Sequence, residues 1–162
     1  MKNKRISWDE YFINLLEPLS ERATCDRGKN AALIVNPEIK RILATGFVGS
    51  PSGLSHCDDV GHLMKKVINE DGKTSQHCIR TIHAEANAIL QAASDGPSIR
   101  GATIYTKMTP CYNCAMMIIQ VGIKRVVAKK KYHVDDLSRE IFKKAGVEFV
   151  VLEDEIVKYK RQ

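Results

Sequence analysis

The sequence predicts an α/β protein, a three-layer α/β/α sandwich built on a mixed sheet of about five strands. Three observations lead there. From Thr103 onward, short apolar runs alternate with helix-length segments, the pattern of parallel strands joined by crossover helices. Upstream, Ala31–Val35 and Ile42–Phe47 are apolar runs flanking the turn residues Asn36-Pro37-Glu38, which reads as an antiparallel hairpin. Finally, His83-Ala84-Glu85 and Pro110-Cys111-Tyr112-Asn113-Cys114 each open a helical segment. Two such helices side by side on one face of the sheet would bring their N-termini together.

The elements follow in order. Ser7-Trp8-Asp9-Glu10 is a capping box. It opens a first helix with an apolar face of Trp8, Phe12, Leu15 and Leu16. Pro18 should kink or end that helix, which resumes over residues 19–23. Residues 46–53 (Gly-Phe-Val-Gly-Ser-Pro-Ser-Gly) form a glycine-rich loop after a strand, either a close approach of backbone to a ligand or a plain turn. Residues 58–69 have helical periodicity through Val60, Leu63, Met64 and Val67, and residues 70–73 read as an exposed turn. A helix over residues 83–93 should turn Ala86, Ile89, Leu90 and Ala93 to the core. Then come a strand at 103–106, a helix at 111–121 capped near Gly122, a strand at 125–128, a helix at 137–145 closed by Gly146, and a strand at 148–152. The charged tail from Asp154 is a short helix or frayed.

Composition narrows the class. At 162 residues the chain reads as a single domain over 1–162. Hydrophobic residues make up 44% and charged residues 27%, ordinary for a globular protein. No apolar run approaches the roughly 20 residues that span a bilayer. The basic N-terminus lacks the apolar stretch of a signal peptide, so a cytoplasmic location is expected. The formal charge of +6 suits a small anionic substrate as well as it suits nucleic acid. With only 6% aromatic residues there are few stacking platforms, which counts against a single-strand binder. Five cysteines, an odd number, argue against a disulfide framework and for metal.

The chemistry lies in the two helix starts. A catalytic zinc takes three protein ligands and leaves a position for water. His83, Cys111 and Cys114 supply the three, because the first turn of a helix puts both sulfurs of Cys-x-x-Cys on one side. Backbone N–H groups at that helix start favour the thiolate forms. Glu85 is then a base beside the bound water, placed to accept its proton. The competing reading is a closed structural site with Glu85 as fourth ligand. The joint pattern of His-Ala-Glu, a strand and Pro-Cys-x-x-Cys favours the catalytic one.

His-x-Glu followed by Pro-Cys-x-x-Cys is the mark of zinc nucleobase deaminases, and from about Trp8 to Leu152 the chain resembles deoxycytidylate (dCMP) deaminases of the cytidine deaminase-like superfamily. The resemblance is densest at residues 8–12, at residues 78–89 and from Met108 through Cys114, then from Ile119 to Val127. His-Ala-Glu-x-Asn-Ala-Ile looks more like dCMP deaminases than like tRNA adenosine deaminases. The resemblance implies hydrolytic deamination of dCMP to dUMP for thymidylate supply. It implies Glu85 as proton shuttle, a base contact through the backbone of Ala84, and a homo-oligomer, hexamer or dimer. It also implies activation by dCTP and inhibition by dTTP, with Mg2+ accompanying the effector. Two departures stand out. The family usually reads Gly-Tyr-Asn-Gly where this chain has Gly46-Phe47-Val48-Gly49. Val48 cannot make the hydrogen bonds of that Asn, which bears on sugar recognition, on dCTP regulation and on the substrate itself. Gly28-Lys29-Asn30-Ala31 replaces a more apolar entry to the first strand, and no chemistry attaches to it at this level.

A second metal set is drawn from Cys25, Cys57, His77 and Cys78, with His56 and His62 close by in sequence. Some dCMP deaminases carry a structural zinc at comparable positions. The selection here is Cys25, Cys57 and one of His77 or Cys78, against the alternative of simply buried thiols. Thr45, Ser50 and Thr109 are further candidates for substrate contact, and Tyr132 and His133 for closing over a base or forming a subunit interface. The rival functions are deamination of another small cytosine-type substrate, kept open by Val48, nucleic-acid editing, and a zinc-binding regulator on an inactive scaffold. The complete set of ligands and Glu85 argues against the last.

Overall fold

The computed structural model describes residues 5–68, 72–132 and 135–157. Five strands make one mixed sheet in the order β2-β1-β5-β6-β7: β1 (Ala31–Val35), β2 (Ile42–Phe47), β5 (Thr103–Met108), β6 (Arg125–Tyr132) and β7 (Glu148–Val157). β1 pairs antiparallel with β2 and with β5. β5–β6 and β6–β7 are parallel, as the strand–helix alternation requires.

All of β1 is buried, because both its faces are covered. Ala31, Leu33 and Val35 point to α1 (Trp8–Ser20), where they meet Phe12, Ile13 and Leu16. Ala32 and Ile34 point the other way, into a core shared with α3 (Ala84–Asp95), α4 (Tyr112–Gln120) and α5 (Asp136–Lys144). One residue of α1 fastens the first layer: Asp9 accepts from both terminal nitrogens of Arg125 (2.8 and 2.9 Å) and from the Tyr105 hydroxyl (2.8 Å).

The helix starts are as the sequence predicts, and the Ser7–Glu10 capping box forms. Other details differ. α1 runs unbroken to Ser20 with Pro18 inside it, since a proline in the last turn removes a single ladder bond. Trp8 is 53% exposed, stacked on the buried Phe12. In α3, Ala84, Ala88 and Ala92 face the sheet, while Leu90 is 51% exposed and Ala93 exposed. The inward row is alanine because the helix lies directly on Gly46 of β2. A Cβ at Gly46 would come within 2.2 Å of the Ala84 carbonyl oxygen and 2.5 Å of the Ala88 nitrogen. That glycine serves helix–strand packing rather than a ligand.

The largest correction is at residues 58–69. The expected helix is one short turn, α2 (Cys57–Val60), followed by a hairpin of β3 (Met64–Ile68) and β4 (Thr74–Cys78) outside the main sheet. Val60 and Leu63 are about half exposed, so their helical spacing marks no buried face. β6 and β7 are also longer than expected, pairing as far as Tyr132 and Val157. Residues 69–71, His133 and the basic cluster at 158–161 lie outside the described residues.

Candidate metal centre and active site

The two helix starts converge as anticipated. His83 is the N-cap of α3 and Cys111 the N-cap of α4, and neither side chain caps its own helix. Ordinary N-cap side chains turn back onto the first-turn amides, which stabilises a helix by about 1 kcal/mol. Here both turn toward each other instead. His83 Nδ1 lies 3.5 Å from the sulfur of Cys111 and 3.5 Å from that of Cys114, one turn along α4. The ligand atoms of a tetrahedral zinc with one imidazole and two thiolates stand about 3.6 Å apart. The donor set and its spacing therefore fit zinc, with one coordination position left over for water. The three groups shift one another's proton affinities. The hydrogen bond with Cys114 pulls the Cys111 thiol down to about 4, helped by His83. The same contact pushes Cys114 up, and the Cys111 hydrogen bond raises His83 to about 9.

The backbone before α3 is held from two sides. Gly49 and Ile82 exchange a pair of main-chain bonds, and Asn87 Nδ2 donates to the Phe47 carbonyl at 2.7 Å. The Asn of His-Ala-Glu-x-Asn is thus a tie between helix and sheet. It fixes the first turn, and with it Glu85.

Glu85 is 3% exposed, and burial pushes its carboxyl above the usual range. Its one side-chain partner among the described residues is the Thr106 hydroxyl, which donates to Oε1 at 3.4 Å. Thr106 in turn accepts from Asn30 Nδ2 at 3.4 Å. A cavity of about 600 Å³ opens over this group, and His83, Glu85, Thr109, Cys111 and Asn30 line it. Sequence reasoning passed over Thr106 and Asn30. The only signals were the polar entry to the first strand at Asn30 and a hydroxyl at Thr106 in the strand before Pro-Cys-x-x-Cys.

The other expected contacts divide. Thr109 lines the cavity while its hydroxyl accepts from the Tyr132 amide. Val48 and Tyr132 line it too. Ala84 is fully buried between two lining residues. Thr45 is not on the cavity, because its amide and hydroxyl are turned to Gln91 of α3. Ser50 also lies off the cavity, with its hydroxyl oxygen buried and unpaired among the described residues.

A second cluster gathers Cys25, Cys57, His62 and Cys78, with all four donor atoms within 4.8 Å of one another. Cys25 Sγ is 3.6 Å from His62 Nδ1, and Cys57 Sγ is 3.6 Å from Cys78 Sγ. These separations again suit zinc, now with four protein donors and no position left for water. Both Cys57 and Cys78 take part. The histidine is His62, held by Asp26 through Nε2 at 3.0 Å. His77 is not among these four: it sits on the neighbouring register of β4, with Nε2 2.8 Å from the Ser75 hydroxyl. Its chain neighbour Cys78 has the opposite side of the strand and faces the cluster. Burial raises Cys57 to about 12. At Cys78 burial is outweighed by the amides of Arg80 and Leu63 and by Cys57 and His62, so its thiol falls to about 7.

Comparison with known proteins agrees with this geometry. The family model of the cytidine and deoxycytidylate deaminase zinc-binding region matches residues 6–130. The ComE operon protein 2 of Bacillus subtilis is 42% identical over 161 residues, 98% of this chain and 79% of its own length. The human deoxycytidylate deaminase is 36% identical over 149 residues, 89% of this chain and 79% of its own. A dCMP deaminase from the cyanophage S-TIM5, solved in complex with dCMP and dUMP, superposes with a TM-score of 0.71 at 29% identity, covering 96% of this chain and all of that one. By its matched region, its relatives and its pair of converging helix starts, the chain belongs to the family of zinc-binding cytidine and deoxycytidylate deaminases.

Proposed function

We propose that the protein is a zinc-dependent hydrolase that converts dCMP and water to dUMP and ammonia, feeding thymidylate synthesis. The observation that carries this is Glu85, a buried carboxylate beside a three-donor, open-sided metal set on the wall of a cavity. His83, Cys111 and Cys114 would hold the zinc, which when bound acidifies a water at neutral pH. Beside that position Glu85 would take the proton of a water whose oxygen adds to C4 of the cytosine. It would deliver that proton to N3, where it stays as the N3–H of dUMP, and then carry the proton of the new C4 hydroxyl to the exocyclic amine, so that the C4–N bond breaks as C4=O forms and NH3 leaves. The donated hydrogen bond from Thr106 keeps the carboxylate aimed through both transfers. Thr109 and the Ala84 backbone are assigned to the substrate, and Arg27 on the cavity wall supplies positive charge for its phosphate.

The second cluster is assigned a structural zinc held by Cys25, Cys57, His62 and Cys78. The chain is read as one deaminase domain over 1–162, cytoplasmic, where its five free thiols suit a reducing compartment. Among the described residues no helix is long and apolar enough to cross a membrane. A homo-oligomer, hexamer or dimer, goes with the exposed apolar side chains of Leu90, Met116 and Met117 on α3 and α4. Regulation by dCTP and dTTP with Mg2+ completes the reading; nucleic acid is not a partner in it. The test is ammonia release from dCMP, CMP, dCTP, deoxycytidine and cytidine, each with and without dCTP as effector. Turnover of dCMP above the others is expected. A zinc-loaded protein inert toward dCMP would favour the second reading, another cytosine-type substrate, which Val48 on the cavity wall supports.

A further inference from the structure

Asn30 sits just before β1, in register with Val48 beyond β2, whose amide donates to its carbonyl at 3.1 Å. Continuing the β1–β5 pairing places it beside Met108 on the other side. Val48, Asn30 and Met108 all line the cavity. Asn30 is therefore the polar member of an otherwise apolar row, on the face of the sheet that carries Glu85.

Its orientation is determined by what it bonds. The main-chain N–H groups of Ala31 (2.9 Å) and Lys107 (3.2 Å) both donate to one side-chain atom, which must be the oxygen. The Thr106 hydroxyl, 3.5 Å from the same oxygen, spends its single proton on Glu85, the charged acceptor. The other terminal atom is then Nδ2, with two hydrogens. One goes to Thr106 Oγ1 at 3.4 Å. The second meets no acceptor among the described residues, in a side chain that lines the cavity.

We propose that Asn30 reads the pyrimidine base, its free Nδ2 hydrogen donating to the C2 carbonyl oxygen of the ring. This rests on the deaminase reading above. If C4 faces the metal set and N3 faces Glu85, the next acceptor around the ring is O2. Asn30 Nδ2 and Glu85 Oε1 share Thr106 as a common neighbour, which suits adjacent atoms of one ring. Val48 and Met108 pack on either side of the donor and offer the base no competing hydrogen bond. Asn30 is thus a specificity-determining residue, not a catalytic acid or base.

The test uses Asn30→Asp and Asn30→Ala in the full-length zinc-loaded protein, with dCMP and its 2-thio analogue, whose sulfur is a poor acceptor. Asn30→Asp keeps an oxygen for the Ala31 and Lys107 amides but adds a charge near Glu85, whereas Asn30→Ala removes the donor without adding charge, so a loss of preference common to both reports the donor; melting temperature and zinc content check the fold. The expected result is a loss of roughly ten- to a hundredfold in kcat/KM for dCMP, against little change for the 2-thio substrate, so that the preference for dCMP collapses in both variants. A preference unchanged from wild type, with dCMP still turned over, would overturn the role of Asn30 alone. A wild-type protein inert toward every cytosine substrate would overturn the deaminase reading and this inference with it.

Discussion

The molecule holds two clusters of metal-binding side chains, and they are built differently. One takes its donors from the N-termini of α3 and α4, elements pinned to the main sheet. It has three donors, a free side toward a cavity, and a buried carboxylate alongside. The other takes four donors from the chain after α1, the start of α2, the turn after it and the end of β4. Its four donors are enough to complete a tetrahedral zinc. The contrast teaches how one metal can serve two ends. A rigid sheet positions the incomplete set, and on the proposed reading zinc at the four-donor set would stand in for a core where the local sequence cannot supply one. The β3–β4 hairpin exposes Lys65, Lys66, Thr74 and Gln76 and leaves Ile68 78% exposed, so burial alone does little to hold it.

Five substitutions sharpen that contrast. The largest effect is expected at the open set. Glu85→Ala should retain both zinc ions and lose about 10²- to 10⁴-fold in kcat, as removal of a general acid–base does; steady-state kinetics with elemental analysis would check it. Next is Gly46→Ala, which pushes α3 off β2. It should cost about 1–3 kcal/mol in denaturant unfolding, as overpacking does, and lower turnover by moving His83 and Glu85 together. The closed cluster, on other elements, should keep its metal.

Asp9→Ala acts on the far face and should leave both clusters alone. It removes charged hydrogen bonds to Arg125 and the bond from Tyr105, for a loss of about 2 kcal/mol. The Arg125 hydrogen bond holds the Asp9 carboxyl below its usual range. A depressed folded-state value stabilises at pH above the unfolded value of about 3.9 and is lost as pH falls through the folded one. The difference in stability between wild type and Asp9→Ala should therefore be flat above about pH 5 and shrink in acid. The smallest effect is expected at His77→Ala, which should leave zinc content unchanged, whereas His62→Ala should lose one ion. Loss of zinc from His77→Ala would return that histidine to the closed cluster.

Much of this was legible in the sequence, and the reasons are physical. Strands buried on both faces leave continuous apolar runs, so β1, β5 and β6 were visible. The His-Ala-Glu and Pro-Cys-x-x-Cys groups carry their geometry locally, within one helical turn each. The closed cluster was only partly readable, because its donors come from four places and their meeting depends on how the chain turns at Gly61, not on spacing. Spacing leaves His77 and Cys78 as alternatives for the third donor, and alternation along β4 turns the two side chains apart, with Cys78 in the cluster. The β3–β4 hairpin was hidden by a polar, exposed composition whose few apolar residues happened to fall at helical intervals. Thr45 and Ser50 lie off the cavity because a hydroxyl after a strand is as easily turned to a helix or buried as exposed to a ligand. Asn30 registered only as a departure from the apolar norm; what it faces is set by β5 and α3, far along the chain.

The most direct test of the division between the two centres is zinc stoichiometry measured together with turnover and melting in wild type, Cys111→Ser and Cys78→Ser. The account predicts two zinc ions per wild-type chain. Cys111→Ser should hold one, lose turnover and melt close to wild type. Cys78→Ser should also hold one, but melt roughly 5–10 °C lower, as a loss of about 2–3 kcal/mol does in a chain of this size. One zinc ion per wild-type chain, or a Cys78→Ser protein that melts like wild type while Cys111→Ser collapses, would contradict it.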